Sequence, residues 1–143
     1  MVSFLRVLHV EDNELDAMIY KAQLVGFDRC RFDVIRAVDL EEAFDTITKM
    51  QRFDIVLLDL NLPDSEGLHT LQAIIDKVET STPITILSGI IEESVFNKAL
   101  EMGAASFLVK SPDDHNVAEH LLKVFKKFQE DSKKRGKKRR GKA

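Results

Sequence analysis

The sequence predicts an α/β fold, (βα)5, in which a doubly wound parallel sheet is covered by helices. Along the 143 residues, short apolar runs alternate with longer segments of helical periodicity, which is typical of a parallel sheet with helices on both faces and right-handed crossovers. The run Ile55 to Leu58 is wholly apolar, as expected for a central strand that is buried on both faces. A hydrophobic content of 44% suffices for a sizeable core.

Five apolar runs predict the strands. The first, Phe4 to Val10, is rich in β-branched and aliphatic residues, whereas the second, Phe32 to Ile35, is weaker. The other three are Ile55 to Leu58, Pro83 to Leu87 and Ser106 to Val109. Because a helical pattern separates each run from the next, neighbouring strands are predicted to be parallel.

A helical pattern follows each strand. The first predicted helix, over residues 14–25, is defined by apolar residues at helical spacing: Leu15, Met18, Ile19 and Ala22. The second begins at Asp39, with Glu42 as its partner in a capping box. The remaining helices are predicted over about residues 66–78, over about 92–102 with Gly103 as a C-cap, and from Ser111–Pro112 to Phe128.

The net charge of −3 conceals two oppositely charged parts. Residues 1–122 carry 10 Lys and Arg against 22 Asp and Glu, a net charge of −12, whereas residues 123–143 carry 11 against 2, a net charge of +9. We therefore expect one domain over residues 1–131 and a basic tail over residues 132–143. This tail should be disordered in isolation, because like charges repel and Gly adds entropy.

The sequence also indicates the cellular compartment of the protein. No apolar run reaches the roughly 18 residues that a membrane span needs, and the N-terminus lacks the pattern of a secretory signal. Cys30 is the only cysteine, which excludes an internal disulfide and a cysteine-based metal site. We therefore expect a cytoplasmic protein.

Polar residues with useful chemistry follow four of the five predicted strands. In an open parallel sheet, ligands bind outside the carboxyl ends of the strands. The second strand, which ends in Arg36 and Ala37, offers nothing comparable to the other four. Those four bring together three carboxylates, an amide, a hydroxyl and an ammonium group: Glu11, Asp12, Asp59, Asn61, Ser88 and Lys110.

This set of groups suits an aspartyl phosphate. Three crowded carboxylates repel one another, which favours a hard cation such as Mg²⁺ between them. An Asp carboxylate can attack phosphorus, while a metal ion and a Lys neutralise charge on the phosphoryl oxygens and a Ser hydroxyl donates to one of them. A single Asp at a strand end would usually be a loop residue, so the prediction depends on the joint set.

The candidate residues lie in four motifs at the ends of strands one, three, four and five. In this order, the motifs are VEDNELD, LLDLNLPDSEGL, ILSG and FLVKSP. From about Phe4 to Phe128, the sequence resembles the receiver domain of two-component response regulators, in the single-domain form of the chemotaxis regulators. The resemblance implies a flavodoxin-like sheet with strand order 2-1-3-4-5. It also implies a phosphoacceptor rather than an enzyme, with slow autodephosphorylation.

The resemblance assigns a role to each motif residue. Asp59 corresponds to the acceptor, phosphorylated by a sensor histidine kinase or a phosphotransfer protein. Lys110 corresponds to the phosphate-binding lysine, and Ser88 and Phe107 to the switch pair. Their movement would reshape the surface of the fourth helix, fifth strand and fifth helix for an output partner. The implied Mg²⁺ ligands are Glu11, Asp12, Asp59 and the carbonyl of Asn61.

The sequence departs from the family pattern near the pocket. Ser111 separates Lys110 from Pro112, where the family usually has Pro directly after Lys. The aromatic switch position is Phe107, which has no hydroxyl. Gly89 and Ile90 follow the switch serine, and the apolar Ile90 is expected to slow hydrolysis of the phosphoryl group.

Residues at specific positions favour or disfavour other functions. The segment 133–142 has eight basic residues, so a polyanion-binding module acting through this tail is an alternative function. The tail could equally be a solvated linker, or fold back on the acidic domain. A phosphohydrolase with an Asp nucleophile would need a second carboxylate at Asn61, and a flavodoxin would need a Ser/Thr- and Gly-rich loop where Glu11 and Asp12 lie.

Overall fold

In a computed structural model, which describes residues 2–50, 52–89, 92–111 and 116–140, five strands form a sheet between two layers of helices. The strands of the sheet are β1 (Phe4–Val10), β2 (Arg31–Ala37), β3 (Ile55–Leu58), β4 (Ile84–Ser88) and β5 (Ser106–Val109). The helices are α1 (Glu14–Val25), α2 (Leu40–Met50), α3 (Leu68–Ile75), α4 (Glu93–Met102) and α5 (Val117–Arg140).

The order of the strands in the sheet is β2-β1-β3-β4-β5, and every pair is parallel. This confirms the predicted fold class and the strand order 2-1-3-4-5. In the register, Val10 lies opposite both Ala37 and Leu58, and Ser88 lies opposite Val109. The carboxyl ends of all five strands therefore meet at one edge, which is where the predicted site residues follow.

Alternating residues of the strands build two cores, one on each face of the sheet. Leu8 and Val10 of β1 pack towards the face that α2, α3 and α4 cover. Leu5 and Val7 pack towards the face that α1 and α5 cover. All four residues of β3 are buried, which confirms the prediction that this wholly apolar run is a central strand.

Helix α1 buries a different face from the one whose periodicity predicted it. Asn13 caps the helix, because its side chain accepts a hydrogen bond from the backbone N–H of Asp16 (2.9 Å). The face against the sheet consists of Ala17, Tyr20 and Leu24. The apolar residues that defined the predicted helix are exposed, among them Leu15 (65%) and Met18 (62%).

The chain between β3 and α3 differs from the prediction of a helix over residues 66–78. Asn61–Leu62 and Ser65–Glu66 pair as a short antiparallel hairpin. Gly67 then adopts a φ of 64°, in the left-handed region that glycine tolerates best, and turns the chain into α3. Consequently α3 is shorter than predicted.

The fifth helix begins at Val117 in the described chain, whereas the sequence predicts an N-cap at Ser111 and a first helical residue at Pro112. Ser111 is described and is not helical, and Pro112 lies outside the described residues. At its other end, α5 continues to Arg140, through most of the segment for which the sequence predicts a disordered tail. Lys and Arg are good helix formers, and adding residues to an existing helix avoids the cost of nucleation. The domain boundary at residue 131 stays a prediction.

Candidate functional site

Three carboxylates converge at the carboxyl edge of the sheet. Glu11 and Asp12 follow β1 and Asp59 follows β3, and one carboxylate oxygen of each lies within 4.8 Å of the other two. Glu11 is fully buried, Asp59 is 6% exposed and Asp12 is exposed. The structure thus brings together the three acidic residues that the sequence placed at the strand ends.

Backbone hydrogen bonds between neighbouring strands hold these residues in place. The N–H of Glu11 donates to the carbonyl of Ala37 (2.9 Å), and the N–H of Asp59 donates to the carbonyl of Val10 (3.0 Å). On the far side, the N–H of Lys110 donates to the carbonyl of Ser88 (2.8 Å). Each functional residue therefore follows directly from a strand end with fixed geometry.

Lys110 reaches into the acidic cluster. Its ammonium nitrogen lies 2.6 Å from Glu11 Oε1 and 3.0 Å from Asp59 Oδ2. It also lies 3.0 Å from Oδ2 of Asp16, a residue of α1. Burial disfavours the charged ammonium, but its hydrogen bonds to Glu11, Asp16 and Asp59 outweigh this and raise the pKa of Lys110 above its ordinary value. Lys110 is thus a permanent cation in the pocket.

One lysine does not neutralise this cluster. Burial, opposed by Lys110 and reinforced by Asp59, raises the pKa of Glu11 to about 7. The backbone N–H of Asn13 donates to the second oxygen of Glu11 (3.2 Å). A buried carboxyl that resists ionisation beside two further carboxylates fits a site for a divalent cation, since the cation favours the ionised form. The donor set of hard oxygens suits Mg²⁺.

The loop after Asp59 is anchored on both sides. The backbone N–H of Asn61 donates to Asp59 Oδ1 (3.0 Å), which orients this carboxylate. Asp64 accepts hydrogen bonds from the backbone N–H groups of Leu40 (3.0 Å) and Glu41 (3.2 Å) and so caps α2. The hairpin that carries Asn61 is therefore tied to a neighbouring helix.

Two residues in the site were missed by sequence reasoning. Arg36, at the end of β2, donates from Nε to the carbonyl of Glu11 (3.0 Å) and from Nη2 to the carbonyl of Asp12 (3.1 Å). It therefore fixes the backbone of the acidic pair, contrary to the expectation that β2 contributes nothing comparable. Asp16, in the first turn of α1, contacts Lys110. Its position four residues after Asp12, at the end of the motif VEDNELD, is the signal that could have indicated it.

The predicted switch residues lie at the same edge and on the neighbouring surface. Ser88 is buried at the end of β4. The ring of Phe107, in β5, packs edge-to-face against Phe96 of α4 with ring centroids 5.2 Å apart. Ile90 lies outside the described residues. The structure thus places the switch pair on adjacent strands, while the roles assigned to these residues remain predictions.

The fold and the acidic pocket define a phosphoacceptor domain of a signalling protein rather than an enzyme of the usual kind. Residues 7–122 match the response regulator receiver domain family, and the chain belongs to this family. Domains of this family pair with histidine kinases. In the described part of the chain, no helix has the length and apolar character to cross a membrane.

Relatives and solved structures agree with this assignment. The cell cycle transcriptional regulator CtrA of Caulobacter vibrioides is 34% identical over 108 residues, which cover 74% of this chain and 44% of that protein. The cell cycle response regulator CtrA of Brucella ovis is 38% identical over 109 residues, with the same coverage of 74% and 44%. The chain therefore spans less than half the length of these curated relatives.

Among solved structures, a LuxR-family two-component response regulator from an Aurantimonas species has a TM-score of 0.73, with 23% identity and 86% of each chain covered. The response regulator domain of CheB from Thermotoga maritima has a TM-score of 0.68, with 25% identity, 87% of this chain and 95% of that chain covered. The first of these likenesses concerns the fold alone.

Proposed function

We propose that this chain is a response regulator that accepts a phosphoryl group on Asp59 from a phosphohistidine of a sensor histidine kinase or phosphotransfer protein. The observation that carries the proposal is the position of Asp59. Its carboxylate lies 3.0 Å from the Lys110 ammonium and is clustered with Glu11 and Asp12.

In the proposed reaction, a carboxylate oxygen of Asp59 attacks the phosphorus atom. The new bond joins this oxygen to phosphorus, and the P–N bond to the donor histidine breaks with its electron pair returning to the ring nitrogen. Lys110 donates to a phosphoryl oxygen and offsets its charge. Glu11, Asp12, Asp59 and the carbonyl of Asn61 would hold Mg²⁺, which when bound neutralises charge on the phosphoryl oxygens.

The proposed output is a change in the surface of α4, β5 and α5. Ser88 is the hydroxyl donor to the phosphoryl group, and Phe107 is the ring that follows its movement. Two contacts support a coupled surface. Phe107 packs on Phe96 of α4, and a chain of hydrogen bonds links β4, β5 and α5 through Thr85, Ser106 and His120 (2.9 and 3.0 Å).

The acceptor is tested by treating the protein with a small phosphodonor, such as acetyl phosphate, and Mg²⁺. We expect one acid-labile phosphoryl group per chain, which Asp59→Asn abolishes because an amide is not a nucleophile towards phosphorus. Mass spectrometry of the intact protein measures the addition. The exposed Asp28 offers a matched control, since Asp28→Asn should leave labelling unchanged. Undiminished labelling of the Asp59→Asn protein would refute the proposal.

The exposed apolar side of α1 supports a protein phosphodonor. Asp59 is nearly buried, so a donor histidine reaches it only if the partner covers the mouth of the pocket. Leu15 precedes Asp16, which contacts Lys110, in the first turn of α1. Leu15 and Met18 are both more than half exposed. Contiguous exposed apolar residues mark interaction sites. We therefore place the donor's contact surface on α1.

A charge at Met18 tests this contact surface. Met18→Glu should reduce phosphotransfer from the partner kinase by about 10-fold or more, the effect of roughly 1.4 kcal/mol at an interface. Labelling by acetyl phosphate should not change, because the pocket is intact. Val25→Glu is the matched control: Val25 is equally exposed but lies two turns further along α1. Equal phosphotransfer rates for the unchanged protein, Met18→Glu and Val25→Glu would show that the donor's contact surface does not include Met18.

A second candidate function is polyanion binding by the end of α5. This helix continues to Arg140, so the basic residues of the segment 133–140 lie on a helix, and Lys133 and Lys134 are exposed. A basic helix binds the phosphates of nucleic acid through charge and the release of counterions. In this proposal, the receiver domain and the basic end of α5 act independently.

A further inference from the structure

Lys110 contacts more carboxylates than the proposed reaction uses. An ammonium group has three N–H donors, and three carboxylates surround Nζ: Glu11 at 2.6 Å, Asp16 at 3.0 Å and Asp59 at 3.0 Å. Phosphoryl transfer requires at least one of these donors to turn to a phosphoryl oxygen. Binding of a phosphoryl oxygen must therefore change the position of Nζ among its carboxylate partners, two of which, Asp16 and Asp59, accept hydrogen bonds from it.

Asp16 differs from the other two carboxylates around Lys110. Glu11 and Asp59 belong to the group of three whose oxygens converge within 4.8 Å, together with Asp12, and a bound cation would draw them away from Lys110. Asp16 does not belong to that convergent group. Its side chain is 32% exposed, whereas those of Glu11 and Asp59 are nearly or fully buried. Asp16 thus remains a partner of Lys110 when a cation is bound.

The position of Asp16 is set by α1. Its backbone N–H is held by the capping side chain of Asn13 (2.9 Å), at the beginning of the helix. Its carboxylate therefore reaches Lys110 from the side of α1, whereas Asp59 reaches it from the end of β3. Asp16 therefore holds Nζ from the side of α1, and a phosphoryl group on Asp59 would draw it towards β3, so the two groups compete for the position of the ammonium group.

We infer that Asp16 is a positioning residue that competes with the phosphoryl group for Lys110 and thereby restrains phosphorylation of Asp59. The inference rests on the proposed function. A charge-assisted hydrogen bond to Asp16 stabilises Lys110 away from the donor's phosphoryl oxygens. Loss of the hydrogen bond to Asp16 lets Lys110 bind those oxygens equally in the ground state and the transition state. The half-saturating donor concentration therefore falls, while the maximal rate changes little.

The test measures the rate of labelling of Asp59 at increasing acetyl phosphate concentrations, with Mg²⁺ present. We expect Asp16→Asn and Asp16→Ala to lower the half-saturating concentration about 3- to 10-fold, the effect of roughly 0.7–1.4 kcal/mol from one hydrogen bond. Asp16→Glu, which keeps the charge, should restore most of the restraint. A half-saturating concentration in Asp16→Asn and Asp16→Ala that is equal to or higher than in the unchanged protein would overturn the inference.

A matched variant separates this contact from a general effect of charge. Glu14 is an exposed acid in the same turn of α1, and in the described structure its side chain has no ion pair with Lys110. Glu14→Gln removes the same charge and should leave the half-saturating concentration unchanged. A decrease as large as that of Asp16→Asn would show that only net charge matters, and would overturn the inference.

A double-variant cycle shows whether Asp16 acts through Lys110. In a Lys110→Ala background, labelled over a range of donor concentrations, Asp16→Asn should have no further effect on the half-saturating concentration. A decrease in the half-saturating concentration that persists in this background would mean direct repulsion of the donor by Asp16 and would overturn the inference. If the unchanged protein is not labelled on Asp59 at all, the proposed function fails. If it is labelled but Asp16→Asn does not lower the half-saturating concentration, only the role of Asp16 fails.

Discussion

The acidic pocket and the C-terminal part of α5 both concentrate charge of one sign, but they do so in different ways. The pocket collects carboxylates from β1, β3 and α1 around Lys110, and Glu11 is fully buried. The end of α5 owes its charge to consecutive residues, and its Lys133 and Lys134 are exposed. In the pocket, burial, opposed by Lys110 and reinforced by Asp59, raises the pKa of Glu11 to about 7.

This difference shows what burial adds to charge. In water, charges more than about 10 Å apart are largely screened at ordinary salt, so an exposed basic helix distinguishes partners mainly by their total charge. In a buried cluster the same type of interaction is stronger and has a fixed geometry. The pocket should therefore select a particular ion and a phosphoryl group, whereas the end of α5 should bind many polyanions in a salt-dependent way.

The largest expected effect comes from removing the C-terminal part of α5 while leaving the acidic pocket intact. A chain that ends at Asp131 loses eight basic residues. If α5 binds DNA, affinity at low salt should fall by roughly 100-fold or more, and the steep salt dependence should be lost. Labelling of Asp59 should not change, because the α5 residues that pack in the core, the last of them Phe125, all precede the new end of the chain. Fluorescence anisotropy with a short duplex measures the binding.

Replacing Lys133 and Lys134 together by Gln is the graded control for this truncation. It keeps the helix length. The slope of log affinity against log salt concentration should decrease by the contribution of about two phosphate contacts. Unchanged DNA affinity after truncation would exclude the basic helix as a binding site. A truncated chain that fails to fold would show that this part of α5 packs on the domain, contrary to the domain boundary predicted at residue 131.

The next effect concerns stability and pH. Because the pKa of Glu11 is raised from 4.5 to about 7 in the folded protein, the folded state binds a proton more tightly than the unfolded state. This contribution is fully present below about pH 4.5 and is lost as the pH rises to about 7. Without divalent cations, the loss should reach about 2–3 kcal/mol. Urea unfolding between pH 5 and pH 8, with a chelator, measures it.

Two variants sharpen this prediction. Glu11→Gln cannot ionise and should flatten this part of the pH profile. Mg²⁺ should restore stability at high pH in the unchanged protein, since it favours the ionised carboxylates. The chain that ends at Asp131 should keep the same profile, because Glu11 and the groups that shift its pKa all remain in it. An identical pH profile for Glu11→Gln and the unchanged protein would show that another group titrates.

The smallest effect concerns the lifetime of the phosphoryl group. Ile90 lies outside the described residues, but it follows Ser88 by two positions, where the family resemblance places it beside the path of the attacking water. A polar group there can orient water, which an apolar side chain cannot. Ile90→Glu and Ile90→Gln should therefore shorten the lifetime about 3- to 30-fold, for roughly 1–2 kcal/mol of barrier.

The lifetime is measured as the decay of the isolated phosphoprotein with Mg²⁺ and no kinase. Replacing Lys134 by Gln changes charge only in the exposed region and should leave the decay unchanged. Equal or slower decay in both Ile90 variants would show that this side chain points away from the pocket.

Much of the site could be predicted because the fold places strand ends together. Once Ile55 to Leu58 was identified as a central strand, Asp59 had to lie at the carboxyl edge, and the same logic placed Glu11 and Lys110 there. The contacts that the prediction missed join residues from distant parts of the chain. Asp16 and Lys110 are 94 residues apart, and Arg36 and the Glu11 carbonyl are 25 apart.

By itself, the sequence determined the alternation of strands and helices, the fold class and the polar residues at the strand ends, because hydrophobic periodicity and local propensity act over a few neighbouring residues. Only the tertiary structure decided which side of α1 is buried. That helix has apolar residues on two sides, and the sheet accepts only the side with Ala17, Tyr20 and Leu24. Likewise, periodicity cannot measure distances between elements, so only the packed fold could assign Asp16 to Lys110 and Arg36 to the acidic pair.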